Sequence, residues 1–228
     1  MKKSLNHALE PTPLRVRLHA AIVSRLPDEK PMTDKITVRP AKPADLAAIN
    51  AIYNHYIAHS TCVWETTPCS EGERKAWYDE HRQTMPVLVA ESNGRVVGWA
   101  SLGSFRPAYT AAGMLEDSIY VHHDFHRRKI GSRLLGALLE EARRMDLRSV
   151  LANISGDQTP SIRLHENFGF QKVAHLHQVG LKNNQRFDAV YLQLLLPDSP
   201  APTPTSVMPP VGRLRKASPG ETQEARQP

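Results

Sequence analysis

Apolar and polar positions alternate in twos over "ITVRPA" (36–41), which predicts a short strand, and the period then changes. Pro43-Ala44-Asp45 opens "LAAINAIYNHYIAHS" (46–60), whose apolar residues recur at helical spacing, and "ERKAWYDEHRQ" (73–83) reads as a second, shorter helix. Two β-type runs, 87–91 and 95–102, flank Ser92-Asn93-Gly94, and Asn-Gly between such runs signals a hairpin because both residues tolerate positive φ. "EDSIYV" (116–121) predicts another strand. The helix that follows, from about 130 to 145, sets Ile130, Leu134, Leu135, Leu138, Leu139 and Met145 on one face and turns Arg133, Glu140, Glu141 and Arg144 away. "SVLANI" (149–154) reads as a buried strand, Thr159 and Pro160 open a helix that Gly169 ends, and "AVYLQLLL" (189–196) closes the core. Strand, helix, strand with a helix of this length makes a right-handed crossover, so 116–121 and 149–154 are expected to run parallel.

This pattern occupies 36–196, and the flanks differ from it. Residues 197–228 are rich in Pro, Ser and Thr and have too little apolar surface to offset ordering entropy, so a disordered tail is expected. Residues 1–35 lack periodicity and read as an extension outside the fold, with Met32 as an alternative start and a transit peptide as the competing reading. "AAIV" (20–23) is too short for a signal-peptide core, and no apolar run reaches membrane-spanning length.

The formal net charge of +6 invites a nucleic-acid reading until it is located. Residues 32–196 carry 19 Lys/Arg against 17 Asp/Glu, too even a balance for a groove that tracks a phosphate backbone. The two cysteines, Cys62 and Cys69, form no paired motif, which argues against a disulfide framework or a thiolate zinc site and fits a reducing cytosol.

Candidate chemistry concentrates at "HHDFHRRKIG" (122–131). The first amides of a helix have no internal partners and carry the positive end of its dipole, so a turn entering a helix is a ready anion site. Arg127, Arg128 and Lys129 add charge there, and Gly131 is expected to let an anion approach the backbone. A phosphate or diphosphate is the expected ligand. No Gly-Lys-Ser/Thr follows and Gly-x-Gly-x-x-Gly is absent, which excludes an ATP P-loop and a dinucleotide fingerprint. His122, His123 and His126 flank Asp124, but neighbours in a turn are expected to diverge and no second ligand cluster is evident, so no metal is expected.

"EDSIYVHHDFHRRKIGSRLLGALLEEA" together with "SIRLHENFGF" resembles the GNAT superfamily of acetyl-CoA-dependent N-acetyltransferases, and more narrowly its phosphinothricin N-acetyltransferase-like branch. "IYNHYIAHSTCVWETTP" (52–68) and "VGLKNNQRFDAVYLQ" (179–193) support the likeness, which covers 36–196 in order. The resemblance implies an α/β fold: a mixed, twisted sheet with a central splayed parallel strand pair and flanking helices. It implies acetyl-CoA as donor, a small amine such as methionine sulfoximine, methionine sulfone or phosphinothricin as acceptor, and a cytoplasmic homodimer with neither nucleic acid nor membrane as partner.

Implied site residues follow the same series. Ile119, Tyr120 and Val121 would offer the strand edge to pantetheine, His126, Arg127, Arg128, Lys129, Ile130 and Gly131 would hold the diphosphate, and Gln158 would reach the pantetheine arm. Lys129 replaces the family's usual first glycine of that string, and Gln158 stands where the branch commonly has Asn. Glu116 would be the general base, with Asp117 in reserve on the opposite side of the strand, and His165 the acid that protonates the leaving thiolate. Arg106 would clamp an acceptor carboxylate, with Tyr53, Trp64 and Phe105 as pocket walls. A peptide or protein N-terminal acetyltransferase, and a GNAT-fold protein that binds acyl-CoA without turnover, are the competing readings.

Overall fold

A computed structural model describes residues 35–196; the expected extension, the Met32 start and the tail from Pro197 lie outside the described residues. Seven strands, β1 (Ile36–Pro40), β2 (Val87–Ser92), β3 (Arg95–Gly103), β4 (Met114–Val121), β5 (Ser149–Ser155), β6 (Gln171–Lys182) and β7 (Gln185–Leu195), form one sheet in the order β1-β2-β3-β4-β5-β7-β6. All neighbours are antiparallel except β4 and β5, the pair joined by the expected helical crossover. The helices are α1 (Leu46–His59), α2 (Glu71–His81), α3 (Pro107–Ala111), α4 (Ile130–Arg144) and α5 (Thr159–Asn167).

Strand alternation divides the interior in two. Leu88, Ala90, Val97, Leu102, Leu115 and Val150 pack with Leu134, Leu135 and Leu138 of α4, while Val87, Val89 and Trp99 pack with Ile49 and Ile52 of α1 and Tyr78 of α2. The expected apolar face of α4 is buried from Ile130 to Leu139, which at about 25 cal/mol per Å2 of apolar surface makes this helix the main anchor of the crossover. Gly98 permits its close approach: a Cβ there would meet the Tyr120 carbonyl at 3.0 Å and both Ile130 and Leu134 at 3.2 Å. The N-terminus of α4 is thereby pinned beside the end of β4.

Asn93 (φ 50) and Gly94 (φ 77) make the β2–β3 turn as their sequence indicates. α2 begins two residues before the expected position, because Ser70 accepts from the Glu73 amide while the Glu73 carboxylate accepts from the Ser70 amide, a capping box. Two elements have no counterpart in the sequence reading, α3 and the long strand β6, which turns into β7 through Asn183 (φ 50) and Asn184 (φ 61).

Candidate active site

The parallel pair stays together for only three residues. Met114 faces Ser149, Leu115 faces Val150 and Glu116 faces Leu151; beyond that, among the described residues, β4 pairs only with β3 and β5 only with β7. The result is a fork whose two inner edges lack a neighbouring strand, the arrangement to which an extended amide-bearing ligand can add. Ile119, Tyr120 and Val121 lie on one prong, with Ile119 and Val121 packed toward α4 and Tyr120 among Tyr53, Tyr56 and Trp99. The Val121 carbonyl already has partners: it accepts the Tyr56 hydroxyl proton and lies 3.2 Å from His126 Nε2. His126 is also 2.8 Å from the Tyr56 oxygen, so its ring secures the end of β4.

Past that point the chain enters the cationic turn. Arg127 (φ 62) and Lys129 (φ 58) are both left-handed, and Lys129 is the N-cap of α4. A lysine in that conformation costs about 1 kcal/mol, where glycine would cost nothing. The first helical hydrogen bond runs from the Arg133 amide to the Lys129 carbonyl, so the amides of Ile130, Gly131 and Ser132 precede the ladder. Arg127, Arg128 and Lys129 are exposed around them, and this combination of amides and cations fits a diphosphate. Ile130 is 1% exposed and has only its amide to contribute. A Cβ on Gly131 would press on Leu164 of α5 at 3.1 Å, so the glycine also serves helix packing.

At the base of the fork two adjacent carboxylates part company. Burial pushes the Glu116 carboxyl up to about 7, with the Asp117 charge adding to the shift and a hydrogen bond from Asn153 opposing it. Asp117 points the other way, as expected from strand alternation, and its Oδ2 lies 2.9 Å from His165 Nε2. Burial alone would lower the His165 pKa, but the Asp117 charge and hydrogen bond and the Ser161 carbonyl together outweigh it and raise the pKa. His165 is 3% exposed with both ring nitrogens engaged, by Asp117 and by the Ser161 carbonyl at 2.8 Å. The structure thus places this expected acid as half of a buried pair joining α5 to β4.

Across the fork, Tyr191 of β7 faces Asn153 of β5. Burial raises the Tyr191 pKa, the Glu116 charge raises it further and Arg106 opposes them, so these three share one electrostatic neighbourhood. Phe105 joins them, its ring 6.0 Å from that of Tyr191. Arg106, the exposed N-cap of α3, and Phe105 thus both approach Tyr191. Tyr53 packs against Trp99 and Tyr120 beneath the Arg74 guanidinium, Trp64 meets Phe187 edge-on, and no ring contact joins Tyr53, Trp64 and Phe105 among the described residues. Asn153 and Tyr191 were missed because nothing local marks them; only sheet pairing brings them to Glu116.

Gln158, the N-cap of α5, donates from Nε2 to Thr61 Oγ1 at 3.3 Å and lines an open cleft of about 270 Å3 with His59, Thr61, Asp157 and Lys182. Lys182, also unforeseen, is 5% exposed and donates to the Ser60 and Val63 carbonyls, both at 2.7 Å, fixing the loop after α1 against β6. The histidines of the turn do not diverge as expected. The rings of His122 and His123 stack with centroids 4.4 Å apart, and each can approach Asp124. A second His/Asp group, also unexpected, lies on β6 and β7 at His175, His177 and Asp188.

Comparison with known proteins places this geometry. The model of the acetyltransferase (GNAT) family matches residues 49–170. An L-methionine sulfoximine/L-methionine sulfone acetyltransferase of Salmonella typhimurium is 40% identical over 169 residues, spanning 73% of this chain and 98% of that protein. A phosphinothricin acetyltransferase of Sinorhizobium meliloti, solved in complex with acetyl-CoA, superposes with a TM-score of 0.70 at 31% identity, covering 75% of this chain and 94% of its own. A ribosomal-protein-alanine N-acetyltransferase of Brucella melitensis gives a TM-score of 0.68 at 37% identity over 70% of this chain and 99% of its own.

Proposed function

The chain belongs to the GNAT acetyltransferase family, and from that premise we propose that it moves acetyl from acetyl-CoA to the primary amine of a small amino-acid-like acceptor of the methionine sulfoximine or phosphinothricin type. The observation that carries the reading is Glu116 at the root of the fork, its carboxyl pushed up to about 7 by burial. A base poised there can take a proton from an ammonium near neutral pH.

The amides of Ile130, Gly131 and Ser132, with Arg127, Arg128 and Lys129, hold the diphosphate of the donor, and the 119–121 edge receives its pantetheine arm. Arg106 meets the acceptor's carboxylate, and Phe105 and Tyr191 border it. Glu116 accepts one proton from the acceptor ammonium, directly or through a water. The amine nitrogen then bonds to the thioester carbon, the carbon–sulfur bond breaks, the thiolate leaves with the electron pair, and the nitrogen gives up its second proton, which reaches the thiolate through solvent while Glu116 returns its own to water. A thiol with a pKa of about 8.5 makes a tolerable leaving group, so protonation by water suffices and His165 is not required.

The protein acts as a cytoplasmic homodimer. Exposed apolar side chains along β6, Val173, Leu176, Val179 and Leu181, support a second copy on that edge. No described helix is long and apolar enough to cross a membrane. A peptide N-terminus is the second reading, favoured by the Brucella melitensis relative. An acceptor panel of amino-acid analogues and short peptides, read by free-thiol release, tests the proposal. Turnover on the analogues alone supports it, turnover on peptides alone transfers the assignment, and coenzyme A binding without any turnover identifies a non-catalytic binder.

A further inference from the structure

β6 and β7 lose their regular pairing in mid-hairpin. His175 faces Val190 and Leu176 faces Ala189, but the next paired residue on β6 is Gly180, opposite Phe187. Residues 177–179 therefore bulge out opposite Asp188 alone, with Gln178 left-handed at φ 54. The Asp188 carboxylate fills the bulge: Oδ1 accepts the Gln178 amide at 2.8 Å, while Oδ2 lies 2.8 Å from His175 Nε2 and 3.1 Å from His177 Nδ1.

Two imidazoles two residues apart on one strand, converging on a single carboxylate oxygen of the next strand, form a potential ligand set. We propose that His175, His177 and Asp188 bind a divalent first-row transition metal of the zinc or copper type. One donor atom from each residue lies within 4.8 Å of the other two. Donors at about 2.0–2.1 Å from a tetrahedral ion sit about 3.3 Å apart, so the two contacts at 2.8 and 3.1 Å need open by only a few tenths of an ångström. Each imidazole that now faces the carboxylate with an N–H can carry that proton on its other ring nitrogen, freeing a lone pair for the ion. Two nitrogens and one carboxylate oxygen suit zinc, copper or nickel and disfavour calcium or magnesium, which take all-oxygen sets.

The anchoring is firm on one side and open on the other. The Asp188 carbonyl accepts the Gly156 amide at 2.8 Å, tying β7 to the turn that leads into Gln158, and Arg186 Nη1 donates to the Gln178 carbonyl across the bulge. In the single chain the His177 side chain is 74% exposed, which leaves a coordination position for water, an exogenous ligand or a group of the second copy on the β6 edge. The turn group His122, His123 and Asp124 is the weaker competitor: its carboxylate stands 3.5 and 3.9 Å from the rings, and His122 Nε2 is already engaged by Arg95 at 2.7 Å. None of the three residues of the proposed site has a part in acetyl transfer above.

The test is isothermal titration of the full, tag-free chain with zinc chloride near neutral pH after removal of metals by chelator, with copper(II) paramagnetic resonance as a second readout. Expected is one ion per chain, bound at least about tenfold more weakly by His177→Gln and by His175→Gln, and with unchanged affinity by His123→Gln. The copper spectrum should carry hyperfine structure from two nitrogens in the wild type and one in His177→Gln. Coenzyme A binding by each variant reports that it has folded. No binding at millimolar zinc, unchanged binding in His177→Gln, or loss in His123→Gln would each overturn the assignment.

Discussion

The two faces of β4 carry neighbouring carboxylates with opposite fates. On the side toward α5, Asp117 is 8% exposed and meets His165, so its burial is offset by a partner and the two act as a strut. Toward the fork, Glu116 has the Asn153 amide as its hydrogen-bond partner, and its carboxyl rises to about 7. Burial is common to both. What separates a structural pair from a base is the partner that accompanies the carboxylate into the interior, an imidazole whose own pKa the pairing raises for Asp117 and a neutral amide for Glu116.

The sharpest way to break that contrast is to neutralise each in turn. Glu116→Gln should lower kcat by about 10²–10⁴-fold with coenzyme A affinity intact, whereas Asp117→Asn should remove about 3 kcal/mol of stability and spare most of kcat below its melting temperature. Steady-state kinetics beside urea melts of both variants read the difference. If Asp117→Asn abolishes turnover in folded protein, the division of labour is wrong.

A smaller effect sharpens the same point through pH. The folded pKa of Glu116 is raised above its ordinary 4.5, so both states are protonated at low pH and the cost of ionising the buried group accrues as pH rises from 4.5 through about 7. Glu116→Gln lacks that cost. Its stability relative to the wild type should therefore gain about 3 kcal/mol between pH 4 and pH 8, measured by denaturant melts. A constant difference would contradict the shifted pKa.

Smallest of the three, Lys129→Gly relieves a left-handed lysine and removes one cation from the turn. Stability should rise by about 1 kcal/mol while coenzyme A binds a few-fold more weakly by calorimetry. Tighter binding in the glycine variant would mean that the lysine obstructs the turn.

How much of this could be read along the chain depends on where each signal resides. The amphipathic stripe of α4 and the Asn93-Gly94 turn are local, and the crossover they define brings the parallel pair and its fork with it. β6 escaped because its residues are exposed at nine of twelve positions, so neither a period of two nor one of 3.6 marks it. The Ser70-Glu73 box was present in the letters and overlooked. Site residues divide the same way. The cationic turn announces itself in sequence, whereas Asn153 and Tyr191 reach Glu116 only through pairing of β5 with β7. For His165 the helical position is visible in the sequence but the partner Asp117, 48 residues earlier, is not.

The most direct measurement is the pH dependence of kcat/KM for acetyl transfer to a methionine sulfoximine-type acceptor, wild type beside Glu116→Gln. The account expects an ascending limb with an apparent pKa of about 7 in the wild type, shifted down in Asp117→Asn and absent in Glu116→Gln. The same limb persisting in Glu116→Gln would show that another group takes the proton.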